Sequence, residues 1–159
     1  CLSPIFQYCF HTGTVPDSWR GSILHPIDKK GDRLDPSNYR LVTLLDIEGK
    51  VYANFLLQQL SKWAEKQGLL PFYQTGFRAK ASTIDNIVAL SYLLNRAKTG
   101  QSRSLYCCFV DYSAAFDGVD RGKLWDKLES WGIEPKLLKA IKSLYENTWV
   151  RMKLPLSFV

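Results

Sequence analysis

The feature that most constrains this chain is the run Leu105 to Val110 inside SLYCCFVD, where every side chain is apolar or aromatic and the next residue is an acid, Asp111. The run is too short for a buried helix and rich in aromatic side chains, so it reads as a central strand of a sheet. An acid placed where a buried strand emerges is fixed from behind by the sheet and faces solvent ahead, a position suited to chemistry. On the residues alone, helix capping or a plain surface turn remains open for Asp111.

The rest of the pattern sets helices around such a strand. Residues 1 to 15 read as helix, and Gly21 to Asp28 (GSILHPID) as extended chain, kept out of helix by Pro26. The following KKGDRLDPSNYR is rich in turn-forming residues and reads as a solvated connection that gathers Lys29, Lys30, Arg33 and Arg40. From Asp46 to Gln67 the positions Val51, Phe55, Leu56, Leu60, Trp63 and Ala64 recur at helical spacing, and Gly68 is placed to end the helix. A second long helix is expected from Ser82, where Asp85 completes a capping box, with Ile84, Ile87, Val88, Leu94 and Ala97 as its packing face. Beyond the strand, Asp120 is placed to cap a helix through Leu124, Trp125 and Leu128 that closes at Gly132. Pro135 opens another, carrying Leu137, Leu138, Ile141, Leu144 and Tyr145 before the chain turns extended near Trp149. Without repeats or low-complexity tracts, these elements make one compact α+β unit.

Composition narrows the class. The length of 159 residues is about one domain, and 46% hydrophobic with 23% charged residues describes a chain that buries a core. No apolar stretch approaches the roughly eighteen residues of a membrane span, and no secretory leader stands at the amino terminus, so the chain is expected to be intracellular and away from membranes. It begins at Cys1 inside an amphipathic stretch and stops in apparent strand at Val159, as a piece of a longer polypeptide would. Four cysteines, Cys1, Cys9, Cys107 and Cys108, form no C-x-x-C pair and have only His11 and His25 to join them, which argues for reduced thiols over a zinc site. Cys107 and Cys108 are expected as small buried hydrophobes. A formal charge of +6, from 21 basic and 15 acidic residues, favours a polyanionic partner without specifying one.

Five blocks then stand in a telling order: VPDSWRGSILHPIDKKGD, DPSNYRLVTLL, QTGFRAKASTIDNI, FVDYSAAFD and RGKLWDKLESWGI. Together they resemble the reverse transcriptases of non-LTR (LINE-like, jockey-like) retrotransposons over nearly the whole chain, and the combination of NYR, GFR with ST-x-D, and FVD with AFD is specific. The resemblance implies a partial right-hand polymerase fold. Residues 1–103 would form the fingers, and 104–159 the beginning of a palm truncated before the aromatic-x-Asp-Asp motif. The remaining palm and the thumb would then be partners supplied by the parent polypeptide.

The same resemblance implies the site. Asp111 would be a catalytic metal ligand for two Mg2+ ions, which need anionic oxygens both to offset their repulsion and to set in-line geometry. The carbonyl of Tyr112 would add a ligand, and Phe116 would lie under the sugar of the incoming nucleotide and exclude a 2′ hydroxyl by leaving it unhydrated. Asp117, six residues past Asp111, would be structural. Lys29, Lys30 and Arg40 would grip the triphosphate, and Gln74, Gly76, Phe77 and Arg78 would touch the template strand. The implied partners are an RNA template, a DNA primer and deoxynucleoside triphosphates.

Departures from the family pattern are Leu41 where Pro is common, Gly118 where Ser or Thr is usual, and Lys80 with Ala81 in place of a Gly and a basic residue. Lys80 in particular would strain a backbone that Gly eases. Taken alone, the fragment is expected not to polymerise DNA. Other readings are a nucleic-acid-binding module, an inactive remnant, and a metal nuclease; the last lacks a dense acidic cluster around Asp111.

Overall fold

A computed structural model describes residues 2–28, 30–32, 35–100, 104–112, 115–116 and 118–152 of the chain. Five helices run in order: α1 (Ser3–Thr12), α2 (Ile47–Lys66), α3 (Thr83–Thr99), α4 (Arg121–Ser130) and α5 (Pro135–Ser143). Strands β1 (Gly21–Asp28), β2 (Tyr39–Leu45) and β3 (Trp149–Met152) form one mixed sheet of order β2-β1-β3, so the described residues are α+β. None of the described helices is long and apolar enough to cross a membrane.

Strand β1 sits in the middle, antiparallel to β2 and parallel to β3. Pro26 is tolerated in this central strand because β3 covers only Gly21 to Leu24, while Pro26 lies opposite Leu41 of β2 with its other edge beyond the last β3 pair. Gly21 is required where β3 arrives: a Cβ there would stand 2.2 Å from the Trp149 indole.

Contacts divide the chain into two compact units, residues 1–63 with 121–159, and residues 64–120, where one was expected. The first holds the core. Cys9, Val15, Trp19, Tyr52, Leu56, Leu128, Ile133, Leu137, Leu138 and Ala140 are buried together, drawn from α1, α2, α4, α5 and the 3-10 turn Asp17–Arg20. Its centre is aromatic: Phe6 and Trp19 lie 5.3 and 5.4 Å from the Tyr52 ring, and Phe10 meets Phe55 edge-on at 5.9 Å. Gly49 lets α2 approach, since a Cβ there would touch Trp19 at 3.2 Å. Arg20 donates from Nε to the Ser143 carbonyl at 3.2 Å, tying the start of β1 to the end of α5.

Helix ends follow the local code. Gly68 and Gly132 adopt left-handed φ of 66° and 77°, and the N–H groups of Leu69 and Ile133 reach back to the carbonyls of Ala64 and Leu128, the paired bonds that close a helix. At the other end of α3, the Ser82 N–H donates to the Asp85 carboxylate at 2.7 Å.

Three expectations are overturned. The run Leu105 to Val110 is not a buried strand: residues 104–112 take no place in the sheet, and Tyr106 and Phe109 are 93% and 83% exposed. An apolar run becomes a strand only where another strand pairs with it, and the sheet of the described residues is made of β1, β2 and β3 alone. Cys107 and Cys108 are consequently exposed thiols, while Cys9 alone of the described cysteines is buried. Helix α3 likewise buries no residue, leaving Ile84, Ile87, Val88 and Leu94 in solvent. In the other direction, β2 begins at Tyr39 inside what reads as a solvated turn, because Tyr39 to Leu45 pairs along the whole of β1.

The Tyr52 hydroxyl is buried without a hydrogen-bond partner among the described residues, and burial followed by the neighbouring Cys9 pushes its pKa up to about 12. Tyr52→Phe should therefore match or exceed the parent in thermal melting, since an unpaired buried hydroxyl disfavours the folded state. Tyr52→Ala should lose about 3–5 kcal/mol through the cavity left among Phe6, Trp19 and Phe55. A Tyr52→Phe loss above about 1 kcal/mol would reveal a partner for the hydroxyl.

Candidate functional site

The β1–β2 hairpin places two of the expected phosphate-binding cations. Its last pairs are Ile27 with Arg40 and Asp28 with Tyr39, so Arg40 on β2 and Lys30, two residues beyond β1, stand at the same end, both exposed. Asn38 closes the connection by donating from Nδ2 to the Asp32 carbonyl at 2.9 Å. Lys29, Arg33 and Asp117 lie outside the described residues.

Asp111 belongs to the second unit, outside any helix or strand, and both it and Tyr112 are exposed. Among the described residues no three His, Cys, Asp or Glu side chains gather where a metal ion could be held. One carboxylate does not match the oxygen set that a pair of divalent ions requires, so the described residues by themselves do not make a two-metal cage.

The geometry is most developed around residues 74–78. Phe77 has φ of 59°, left-handed backbone that costs an ordinary side chain about 1 kcal/mol or more, and its ring is 98% exposed. That ring meets the edge of Phe116, itself 80% exposed, at 6.3 Å and 87°. The structure thus joins two blocks, GFR and AFD, that are 39 positions apart in sequence (116 minus 77). Lys80 has φ of 65°, left-handed backbone that a glycine would adopt without strain.

Two side-chain pairs hold this turn. Arg78 donates from Nε and Nη2 to the two carboxylate oxygens of Glu65 at 2.7 and 2.8 Å, and from Nη1 to the Pro71 carbonyl at 2.9 Å. Asn86 of α3 donates from Nδ2 to the Thr75 hydroxyl at 2.8 Å. Gln74 and Gly76 are linked within the turn, Nε2 to carbonyl, at 3.4 Å. Neither Glu65 nor Asn86 stands out in the sequence: Glu65 reads as a solvated face of α2, and the pairing spans a helix end and an irregular loop.

Hydrogen bonds from Arg78 hold the Glu65 carboxyl below the ordinary glutamate range and raise the guanidinium in turn. A carboxyl lowered in the folded state adds stability above its ordinary titration point and loses it as pH falls through the lowered one. The clamp should accordingly persist at neutral pH and open only as pH falls through the lowered Glu65 titration. In an NMR titration the Glu65 midpoint should lie below that of a free glutamate and move up in Arg78→Gln; an ordinary midpoint in the parent would contradict the pairing.

Comparison with known proteins agrees with the order of the blocks. Residues 27–157 match the family described as reverse transcriptase (RNA-dependent DNA polymerase). The chain is 31% identical over 121 residues to the RNA-directed DNA polymerase assigned to transposon X-element of Drosophila melanogaster, covering 74% of this chain and 13% of that protein. Over 146 residues it is 30% identical to the RNA-directed DNA polymerase from mobile element jockey of Drosophila funebris, covering 90% of this chain and 16% of the relative. To the Pol polyprotein of the type-1 retrotransposable element R2 of Nasonia vitripennis it is 21% identical over 154 residues, covering 97% and 14%. The chain therefore spans about a seventh of the length of these relatives, and it belongs to the reverse transcriptase family, in the branch carried by non-LTR retrotransposons.

Proposed function

We propose that this chain is part of an RNA-directed DNA polymerase that copies retrotransposon RNA into DNA by two-metal nucleotidyl transfer, with residues 1–103 serving as fingers and 104–159 as the first part of the palm. The observation that carries this reading is the family match over residues 27–157, which includes Asp111 and both blocks that meet at Phe77 and Phe116. In this reading the partners are an RNA template, a DNA primer and deoxynucleoside triphosphates, and the work is done inside the cell.

Roles follow from chemistry at each position. Lys29, Lys30 and Arg40 hold the triphosphate, where charge-assisted bonds to phosphate oxygens favour a flexible ammonium and a planar guanidinium. Phe116 lies against the sugar and disfavours ribonucleotides, because a 2′ hydroxyl pressed on an apolar ring loses its hydration. Gln74, Gly76, Phe77 and Arg78 form the block that meets the template. Asp111, with the Tyr112 carbonyl, contributes to binding two Mg2+ ions, whose chemistry when bound is to activate the primer hydroxyl and steady the leaving pyrophosphate.

Since no group of three possible ligands gathers among the described residues, the chain on its own is expected to bind nucleic acid without extending it. Primer extension by the purified chain should stay at background. Template-dependent, Mg2+-dependent synthesis that disappears in Asp111→Asn would overturn that expectation. RNA binding should weaken linearly in log affinity against log salt, by about 0.7 per phosphate neutralised on a single strand, and Lys30→Glu with Arg40→Glu should reduce both affinity and slope. Binding that ignores salt and both substitutions would count against the polymerase reading itself.

A further inference from the structure

We infer that Arg78 is a positioning residue: it acts through Glu65 to hold the 74–77 turn so that Phe77, and not the Arg78 guanidinium, presents the stacking surface to the template, an inference that rests on the function proposed above. A phosphate-binding arginine needs its donor fork free. Here three of the five N–H donors are engaged, the Nε and Nη2 edge on both carboxylate oxygens of Glu65 and Nη1 on the Pro71 carbonyl, at 2.7 to 2.9 Å. Bidentate pairing of this kind fixes direction as well as distance. Glu65 is itself well anchored, because its own carbonyl accepts from the Gly68 N–H at 3.1 Å in the closing turn of α2.

The consequence for Phe77 is mechanical. Left-handed backbone at a non-glycine residue persists only when its surroundings over-determine it. Here the residue after Phe77 is clamped to α2 and the residue two before it, Thr75, to α3, within the same compact unit. What this arrangement delivers is an aromatic ring 98% exposed, edge-on to Phe116. Apart from its edge contact with Phe116, this apolar ring is held in solvent by a strained backbone among the described residues. Stacking under an unpaired base is the use that fits, since every base offers a π face to such a platform.

The experiment compares Glu65→Gln, Arg78→Gln, Arg78→Lys, the exchanged pair Glu65→Arg with Arg78→Glu, and Phe77→Ala in the 159-residue chain. Each is titrated against a fluorescent single-stranded RNA at several salt concentrations, with folding checked by circular dichroism. Phe77→Ala should weaken binding about tenfold, the scale of one lost base stack. Glu65→Gln and Arg78→Gln should each lose a common, smaller factor, the two together should lose no more than either, and the exchanged pair should recover. The salt slope should stay at the parent value throughout, because no phosphate contact is removed. Arg78→Lys should behave as Arg78→Gln, since one ammonium does not reproduce the fork.

If instead Arg78→Gln lowers the slope by about 0.7 while Glu65→Gln is silent and Arg78→Lys binds like the parent, the guanidinium touches phosphate and the inference is wrong. Should the parent chain bind no RNA, it is the proposed function that fails. The clamp is then judged by amide hydrogen exchange at residues 74–78: faster exchange to the same extent in Glu65→Gln and Arg78→Gln upholds it, and unchanged exchange removes it.

Discussion

Burial of the Tyr52 ring between Phe6 and Trp19 is the interaction on which the first unit depends. It joins α2, α1 and the 3-10 turn that leads directly into β1, so the sheet inherits its orientation from a helical core. Area and ring geometry favour the contact, since aromatic pairs at these separations gain about 0.5–1.5 kcal/mol beyond simple burial. The hydroxyl works against it. An apolar ring would fill the same space without burying a hydroxyl that has no hydrogen-bond partner among the described residues.

How far the sequence announced this arrangement varied with the kind of information each element needs. Helices α1, α2, α4 and α5 were legible because their apolar spacing and their glycine and proline punctuation act within a few residues of themselves. Even the capping box of α3 was legible, as Ser82 and Asp85 are three positions apart. Strands need partners, and partners are chosen at long range. Tyr39 to Leu45 was hidden by the turn residues before it, while Leu105 to Val110 carried a strong strand signature and takes no place in the sheet. Burial of α3 failed for the same reason: a periodic face states a need for cover and says nothing about where cover comes from.

The candidate site divides in a similar way. Residue types announced themselves through the blocks that contain them, and Arg40 pairs with Ile27 near the end of β1 that leads toward Lys30. What no block announced was the side-chain wiring: Glu65 under Arg78, Asn86 under Thr75, and the ring of Phe77 against Phe116. Such contacts join different elements and come from exposed positions where neither hydropathy nor spacing leaves a trace. They are nonetheless what gives the 74–78 turn a single shape.

The stretch 104–112 has a consequence for the behaviour of the polypeptide in solution. From Leu105 to Val110 it lies outside the sheet with its side chains exposed, and the run itself contains neither charge nor proline. Segments of that makeup recruit their own kind, strand beside strand, between separate molecules. An uncovered run of this kind is therefore a site where a second chain, if one came close, would find backbone and apolar side chains together.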